Sequence, residues 1–395
     1  MVVNFKAEAT AMRDELVARR RDLHQHPEIA FEEVRTSGIV AAELNNLGFE
    51  VQTGVGKTGV VGVLEGDHDG PTVLVRADMD ALPILEANET DYVSTVDGKM
   101  HACGHDGHTS ILLGVAKLLN ARRSEMRGRV KFVFQPAEEI GGGALAMIKD
   151  GVLAAPRPDV SLGLHLWNEL PLGKVGVGSG PVMAGARIFK IELGGKGGHG
   201  AAPHQTLDPV VAAAQIVTAL QTVISRELDP IQMGVLSVTQ VHAGDADNVI
   251  PSSAVIRGTT RAFLPEVDSM IAERLTAISK GIAKTMHCTC EVSFRDGTIP
   301  VVNDPSVAEH VRGVFRDIVG TDAIETDVRS MLAEDMAFLM KDIPGTFFFV
   351  GSANNERGLD YGHHHPRFDF DEDVLPLGVT LMASAIASYV LPDDA

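Results

Sequence analysis

Between Ala184 and about residue 297 the apolar residues fall into six segments whose period reads strand, helix, strand, strand, helix, strand. The segments are 187–193, 208–227, 233–242, 255–263, 266–286 and 289–294. That order is the split β-α-β-β-α-β arrangement of a compact ferredoxin-like unit, which closes its own sheet and core. On either side the chain reads differently. Helical periodicity over 8–47, broken at Gln25-His26-Pro27, leads into β-branched runs in GVVGVLEG and PTVLVRADMD. A helix over 110–119, a strand over 130–134, a helix over 144–149 and a strand over 160–166 follow. After the ferredoxin-like stretch come helices at 306–319 and 335–340, a strand at 346–351 and a helix from about 371 to 390. Strands alternating with helices predict an α/β layer around a parallel or mixed sheet. The expectation is a two-domain α/β protein: residues 1–183 and 298–395 form one domain, and 184–297 form a smaller one inserted into it. A length of 395 residues, beyond what one core usually serves, agrees.

The charge balance excludes some partners. With 53 acidic and 34 basic residues the chain carries a formal charge of −19, a field that repels nucleic acid and anionic membrane surfaces. No run approaches the roughly 20 apolar residues of a membrane helix. The charged first residues lack the apolar centre of a secretory signal, and three cysteines make no disulfide framework. A cytoplasmic location is expected. The string Gly54-Val55-Gly56-Lys57-Thr58-Gly59 fits a nucleotide-loop pattern only as text. It precedes a strand and opens no helix, so a turn is predicted there.

Metal-capable side chains gather in four places. In His101-Ala102-Cys103-Gly104-His105-Asp106-Gly107-His108, Cys103 and His105 are two apart, which in extended backbone puts them on one side. Sulfur beside imidazole suits zinc and neighbouring transition metals. A polar loop before a helix accounts for one histidine but not for His-x-Cys-x-His-Asp-x-His. In Phe134-Gln135-Pro136-Ala137-Glu138-Glu139, adjacent carboxylates diverge, so one can hold a metal while the other faces water. Taken alone, that pair reads as a solvated acidic turn. His165 closes an apolar strand, where a lone histidine is more often structural than a ligand. The fourth place is Tyr361-Gly362-His363-His364-His365-Pro366, of whose three histidines one or two can face a single site. Together these groups offer N, O and S donors for two ions and a spare carboxylate, the needs of metal-assisted hydrolysis.

At these residues the chain resembles the M20 metallopeptidase clan, and more narrowly its amidohydrolase branch of hippurate, N-acyl-amino-acid and auxin-conjugate hydrolases. The resemblance runs in order through LHQHPEIAFEE, VLVRADMDALPI, MHACGHDGH, FQPAEE, LHLW, GGKGGHGAAPH, DNVIPSSA, GTTR and HHHPRFDFDE. It implies a metallopeptidase-like α/β catalytic domain whose inserted ferredoxin-like domain is a lid and dimerisation unit. Two divalent metal ions per subunit (zinc, manganese, nickel or cobalt) are implied, held by Cys103, His105, Glu139, His165 and His364, with Cys103 bridging. The resemblance also implies Glu138 as general base, and His199 as the group stabilising the oxyanion, in its own or the partner subunit's site. It further implies that Asn248 and Arg261 help bind the substrate's carboxylate or amide. The expected reaction is hydrolysis of the amide bond of N-acyl amino acids, by a homodimer or higher homo-oligomer formed through the lid.

The alternatives are a dipeptidase or carboxypeptidase of the same clan, and a non-catalytic metal-bearing binding protein, against which an intact Glu138 argues. A zinc nucleobase deaminase is set aside, because its His-x-Glu and Pro-Cys-x-x-Cys elements are missing. Where many clan members have His-x-Asp this chain has Arg76-Ala77-Asp78, and Asp78 is expected to orient the site or support the fold. His101 and His108 are expected to orient ligands. His24 and His26 are read as fold-supporting, Cys288 and Cys290 as structural, and Asp335 as either a rim residue or a helix N-cap.

Overall fold

The computed structural model describes residues 3–392. The chain divides into two compact units, one from Met1–Val182, Val302–Arg329 and Asp335–Ala395, the other from Met183–Val301 and Ser330–Glu334.

The larger unit is built on an eight-stranded mixed sheet. Its spatial order is Glu50–Val55, Gly59–Glu65, Arg127–Gln135, His68–Asp78, Val160–Pro171, Gly345–Ala353, Val175–Gly176 and Ile324–Glu325. The four central strands, from Arg127–Gln135 to Gly345–Ala353, run parallel. They read as nearly unbroken apolar runs because both of their faces are covered. In Gly345–Ala353 the side chains alternate between the two faces. Phe348 and Val350 join the main core, where Phe348 meets Phe315 of helix Pro305–Val319 edge-on at 4.9 Å. Phe347 and Phe349 turn the other way, toward His165 and Trp167. Burying such a ring contributes about 2–3 kcal/mol. Helices His105–Asn120 and Val374–Val390 pack against each other within that same core.

The first two strands form an antiparallel hairpin whose turn contains Gly56 and Lys57, both at positive φ. The nucleotide-loop text is thus a turn, as expected.

The smaller unit has a four-stranded sheet ordered Gly234–His242, Ser253–Ala262, Gly185–Gly194, Thr289–Asp296, every neighbour antiparallel. With helices Pro209–Thr222 and Pro265–Thr285 this is the ferredoxin-like fold predicted from the element order. Helix Pro265–Thr285 buries Val267, Ile271, Leu275, Ser279 and Ala283, a stripe spaced every fourth residue that seats it on its core. Asp208 caps Pro209–Thr222 by accepting from the amides of Val210 and Val211. Cys288 is buried and Cys290 half-buried, and both thiols are free. No helix among the described residues is long and apolar enough to cross a membrane.

Candidate metal centre

The site lies at the carboxyl ends of the parallel strands, where open α/β sheets place their ligands. Register brings the donors level: Asp78 sits opposite Gln135, and Arg76 opposite Gly163, which sets His165 beside Asp78. Each strand then turns into a loop that carries chemistry.

One expectation about this region needs correcting. Cys103 and His105 do not share an extended strand. Gly104, at φ 92°, turns the chain through a left-handed position, and helix His105–Asn120 begins directly after it, five residues before the expected start. The two side chains converge because of that turn, which glycine adopts without strain. Asp335 also differs. It occupies the N-cap position of Met336–Met340, but its carboxylate makes no cap bond. Instead Oδ1 accepts from Gln135 Nε2 at 2.5 Å and from Arg76 Nη2 at 3.2 Å, while Oδ2 accepts from the Ala144 amide at 3.0 Å.

Six of the expected residues come together in the larger unit. Cys103, His105 and His165 present donor atoms within 4.8 Å of one another, as do Cys103, Glu139 and His364, so the two triplets share Cys103. Glu138 and Glu139 form a third such group with His105. Cys103 Sγ lies 3.5 Å from His165 Nε2, and His364 Nε2 lies 3.3 Å from Glu139 Oε2. The far ring nitrogens are committed elsewhere. His105 Nδ1 donates to the Asp80 carbonyl at 2.9 Å, and His165 Nδ1 to the Leu166 carbonyl at 2.6 Å. Each bond leaves the lone pair on Nε2, pointing into the cluster, as metal-ligating histidines are usually held.

The donors fit divalent cations. His105 Nε2 and Glu139 Oε1 are buried with no hydrogen-bond partner, although native interiors rarely leave such atoms unsatisfied. They stand 3.9 Å apart, too far to bond each other and close enough to share an ion at about 2.0–2.2 Å from each. The electrostatics agree. Burial alone would strip the charge from His105, yet Asp78, Asp80 and Glu139 lift it to about 10. The surroundings therefore demand positive charge where the two triplets meet. His165 is held well below the ordinary histidine value by burial and by His108 and His363, so it stays neutral and able to ligate.

Several supporting residues carried no clear signal in the sequence. Asp80 accepts the Glu138 amide on Oδ1 and the Glu139 amide on Oδ2, both at 3.0 Å, while its Oδ1 lies 3.3 Å from His105 Nδ1. Its place inside VLVRADMDALPI was the only available hint. Asp78 takes His108 Nδ1 on one oxygen at 2.6 Å and Arg76 Nη1 on the other at 2.7 Å. His108 Nε2 in turn accepts from the Leu166 amide at 2.9 Å. His108 thus orients the site as expected, and its two nitrogens are both in use. His363 is more enclosed than His364: its Nδ1 lies 3.9 Å from Cys103 Sγ, its ring packs against Trp167, and burial drives it down to about 3. His101 is buried with neither nitrogen bonded. His24 bonds Asp106 at 2.8 Å and Glu86 at 3.1 Å, within a buried cluster around Arg20.

The remaining three residues belong to the inserted unit. His199 ends one strand of a two-stranded ribbon, where it pairs with Val249, and Asn248 precedes the other, its carbonyl accepting from the Gly200 amide at 2.8 Å. Arg261 sits on the four-stranded sheet, with Nη1 donating to Thr259 Oγ1 and to the Thr260 carbonyl.

An α/β unit whose strand ends gather Cys, His and Glu donors around two overlapping positions, with a further carboxylate alongside, defines a metal-dependent hydrolase with a dinuclear centre. Comparison with known proteins gives the family. The pattern of peptidase family M20/M25/M40 matches residues 74–388, and the chain belongs to that family. It is 41% identical over 382 residues to IAA-amino acid hydrolase ILR1-like 4 of Arabidopsis thaliana, covering 96% of this chain and 86% of that one. It is 40% identical over 382 residues to thermostable carboxypeptidase 2 of Saccharolobus solfataricus, covering 96% of each. Among solved structures it resembles the YXEP protein of Bacillus subtilis, described as a dinuclear metal-binding peptidase of family M20. That match has a TM-score of 0.83 and 35% identity, over 96% of this chain and 98% of the other.

Proposed function

We propose that this chain hydrolyses the amide bond of N-acyl amino acids, adding water to release a carboxylic acid and a free amino acid. The observation that carries the reading is the pair of donor triplets sharing Cys103, with Glu138 beside them. In this reading Cys103, His105, Glu139, His165 and His364 hold two divalent ions. When bound, the ions polarise the amide carbonyl and acidify water near neutral pH. Glu138 takes the proton from the attacking water and returns it to the leaving amine nitrogen. Its Oε1 accepts from the Asp335 amide at 3.3 Å, a contact that keeps the carboxylate beside Glu139. His199 stabilises the oxyanion of the tetrahedral intermediate, and Asn248 and Arg261 bind the substrate's carboxylate or amide.

The reading includes residues 184–297 acting as lid and as the contact surface of a homodimer, and a cytoplasmic location. Light scattering after size exclusion tests the dimer. The similarity to an IAA-amino acid hydrolase supports acyl-amino acid substrates, whereas the equal similarity to a carboxypeptidase supports peptides. Release of free amino acid from N-acetyl, N-benzoyl and indolylacetyl amino acids, run beside a dipeptide panel, separates the two. Activity that needs metal and disappears in Glu138→Ala is expected. Cleavage confined to dipeptides would refute the acyl-amino acid reading.

A further inference from the structure

The motif LHQHPEIAFEE has no role in the mechanism above, yet its last glutamate reaches the site. We propose that Glu33 is a positioning residue for the turn Ala137-Glu138-Glu139, and that its buried carboxylate holds the backbone conformation from which both glutamates are aimed. This rests on the reading of Glu138 as general base. Ala137 has φ 52°, in the left-handed region that residues with a Cβ rarely adopt, and Phe31 near Glu33 is there too, at φ 64°. Something must hold both. Glu33 Oε1 accepts the amide of Ala137 at 2.9 Å and that of Phe31 at 3.0 Å, while Oε2 takes the Thr58 hydroxyl at 2.5 Å.

The next two amides, of Glu138 and Glu139, donate to Asp80. Three successive N–H groups therefore converge on two fully buried carboxylates. Such a concavity ordinarily binds an external anion; here the chain fills it with its own side chains. On the other side the Ala137 carbonyl accepts from the amides of Gly142 and Gly143, at 3.3 and 3.1 Å. Only the bond to Glu33 fixes the amide of Ala137, the residue at which the chain reverses. Losing it lets Ala137 relax toward ordinary φ and swings Glu138 away from its place beside Glu139.

The test uses the metal-loaded full chain, with Glu33→Leu, which removes the acceptor, against wild type. Its readouts are kcat and KM, bound metal by mass spectrometry, and hydrogen exchange of the segment 135–143. We expect kcat to fall about 10- to 100-fold, with KM within about twofold and both ions retained, since misplacement of about 1 Å costs that order in rate. Exchange over 137–139 should quicken about tenfold. Adding Ala137→Gly to Glu33→Leu should restore at least about fivefold of kcat, because glycine adopts the left-handed conformation unaided. Unchanged kcat with unchanged exchange overturns the proposal, and so does a loss of kcat that Ala137→Gly fails to rescue. Should Glu33→Leu not fold, Thr58→Val decides: a smaller fall in kcat with faster exchange supports the role, and wild-type values on both refute it. If wild type cleaves none of the panel, the proposed function fails, while the exchange measurement still judges Glu33.

Discussion

Arg76 is almost completely buried, and its guanidinium bonds Asp78 and Gln135 at strand ends and Asp335 at a helix N-terminus. Nε donates to Gln135 Oε1 at 2.9 Å, Nη1 to Asp78 Oδ2 at 2.7 Å and Nη2 to Asp335 Oδ1 at 3.2 Å. Arg76→Met keeps the volume and removes all three bonds. Two of them go to carboxylates, each worth about 1.5–3 kcal/mol, and the third is a neutral bond worth about 1 kcal/mol. The sum is an upper bound, because water entering the gap recovers part of it. Breaking buried ion pairs typically costs about 3–5 kcal/mol, most of it the penalty of stranding the remaining charge, and we expect a loss in that range. Trp167 is the protein's one tryptophan and lies buried in the larger unit, so its fluorescence during urea unfolding of metal-free protein reports that unit. The midpoint should fall by about 1–2 M. Arg76→Lys keeps the charge but not the planar fork, and should lose roughly half as much. A loss below about 1 kcal/mol in Arg76→Met would mean that Asp78 and Asp335 need no internal cation, and the reasoning would fail.

Because Cys103 belongs to both donor triplets, Cys103→Ala should bind fewer than one ion per chain, whereas His364→Ala should keep the ion held by Cys103, His105 and His165; elemental analysis after gel filtration distinguishes them. Chelation should lower the larger unit's stability by about 3 kcal/mol for each ion removed, so about 5 kcal/mol for two, relative to protein held at a hundredfold excess of metal over its dissociation constants, read by the same Trp167 fluorescence. Glu86→Gln should destabilise most between roughly pH 4.5 and 6.5, by comparison of urea midpoints across pH. Glu86 is lowered by its bonds to His24, against burial, so its contribution fades as pH falls through its folded value; His24 is raised by Asp106 and Glu86 against burial and Arg20, so its contribution fades as pH rises through its own. A Cβ added to Gly143 would stand 1.6 Å from the Pro136 carbonyl oxygen, so Gly143→Ala should displace the turn before Glu138-Glu139, cost more than about 3 kcal/mol and reduce metal binding in calorimetry.

The ferredoxin-like unit could be read from its sequence because local signals and topology agree there: a stripe of apolar residues four apart over 267–283, Asp208 before Pro209, and strands that pair only with antiparallel neighbours. Trouble came where a single residue changes the direction of the chain. Nothing in His-x-Cys-x-His signals the left-handed φ of Gly104, so apolar periodicity starts the helix at residue 110 although its first turn begins at His105. Asp335 followed by an apolar segment carries the signal of an N-cap. Its carboxylate goes instead to Arg76 and Gln135, partners 259 and 200 residues away, and no local pattern reveals contacts at that separation.

The same limit explains which parts of the site stood out. Cys103 and His105 stand out through the His-x-Cys-x-His-Asp-x-His run, whereas Glu139, His165 and His364 each have an ordinary structural reading and join the set only through the family resemblance. Asp80 and Glu33 are acidic residues that read as ordinary surface in a chain of net charge −19, and Arg76-Ala77-Asp78 stands out only as a departure from His-x-Asp; burial makes all four unusual. Their burial follows from the sheet. Parallel strands deliver their carboxyl ends into one crevice, so a residue just beyond a strand end is enclosed by loops from its neighbours. A carboxylate enclosed there must find donors or a cation. Asp80 and Glu33 find successive backbone amides, and Asp78 finds Arg76 and His108. Among the donors of the two triplets, His105 Nε2 and Glu139 Oε1 stay buried without a partner, and a metal ion between them would satisfy both.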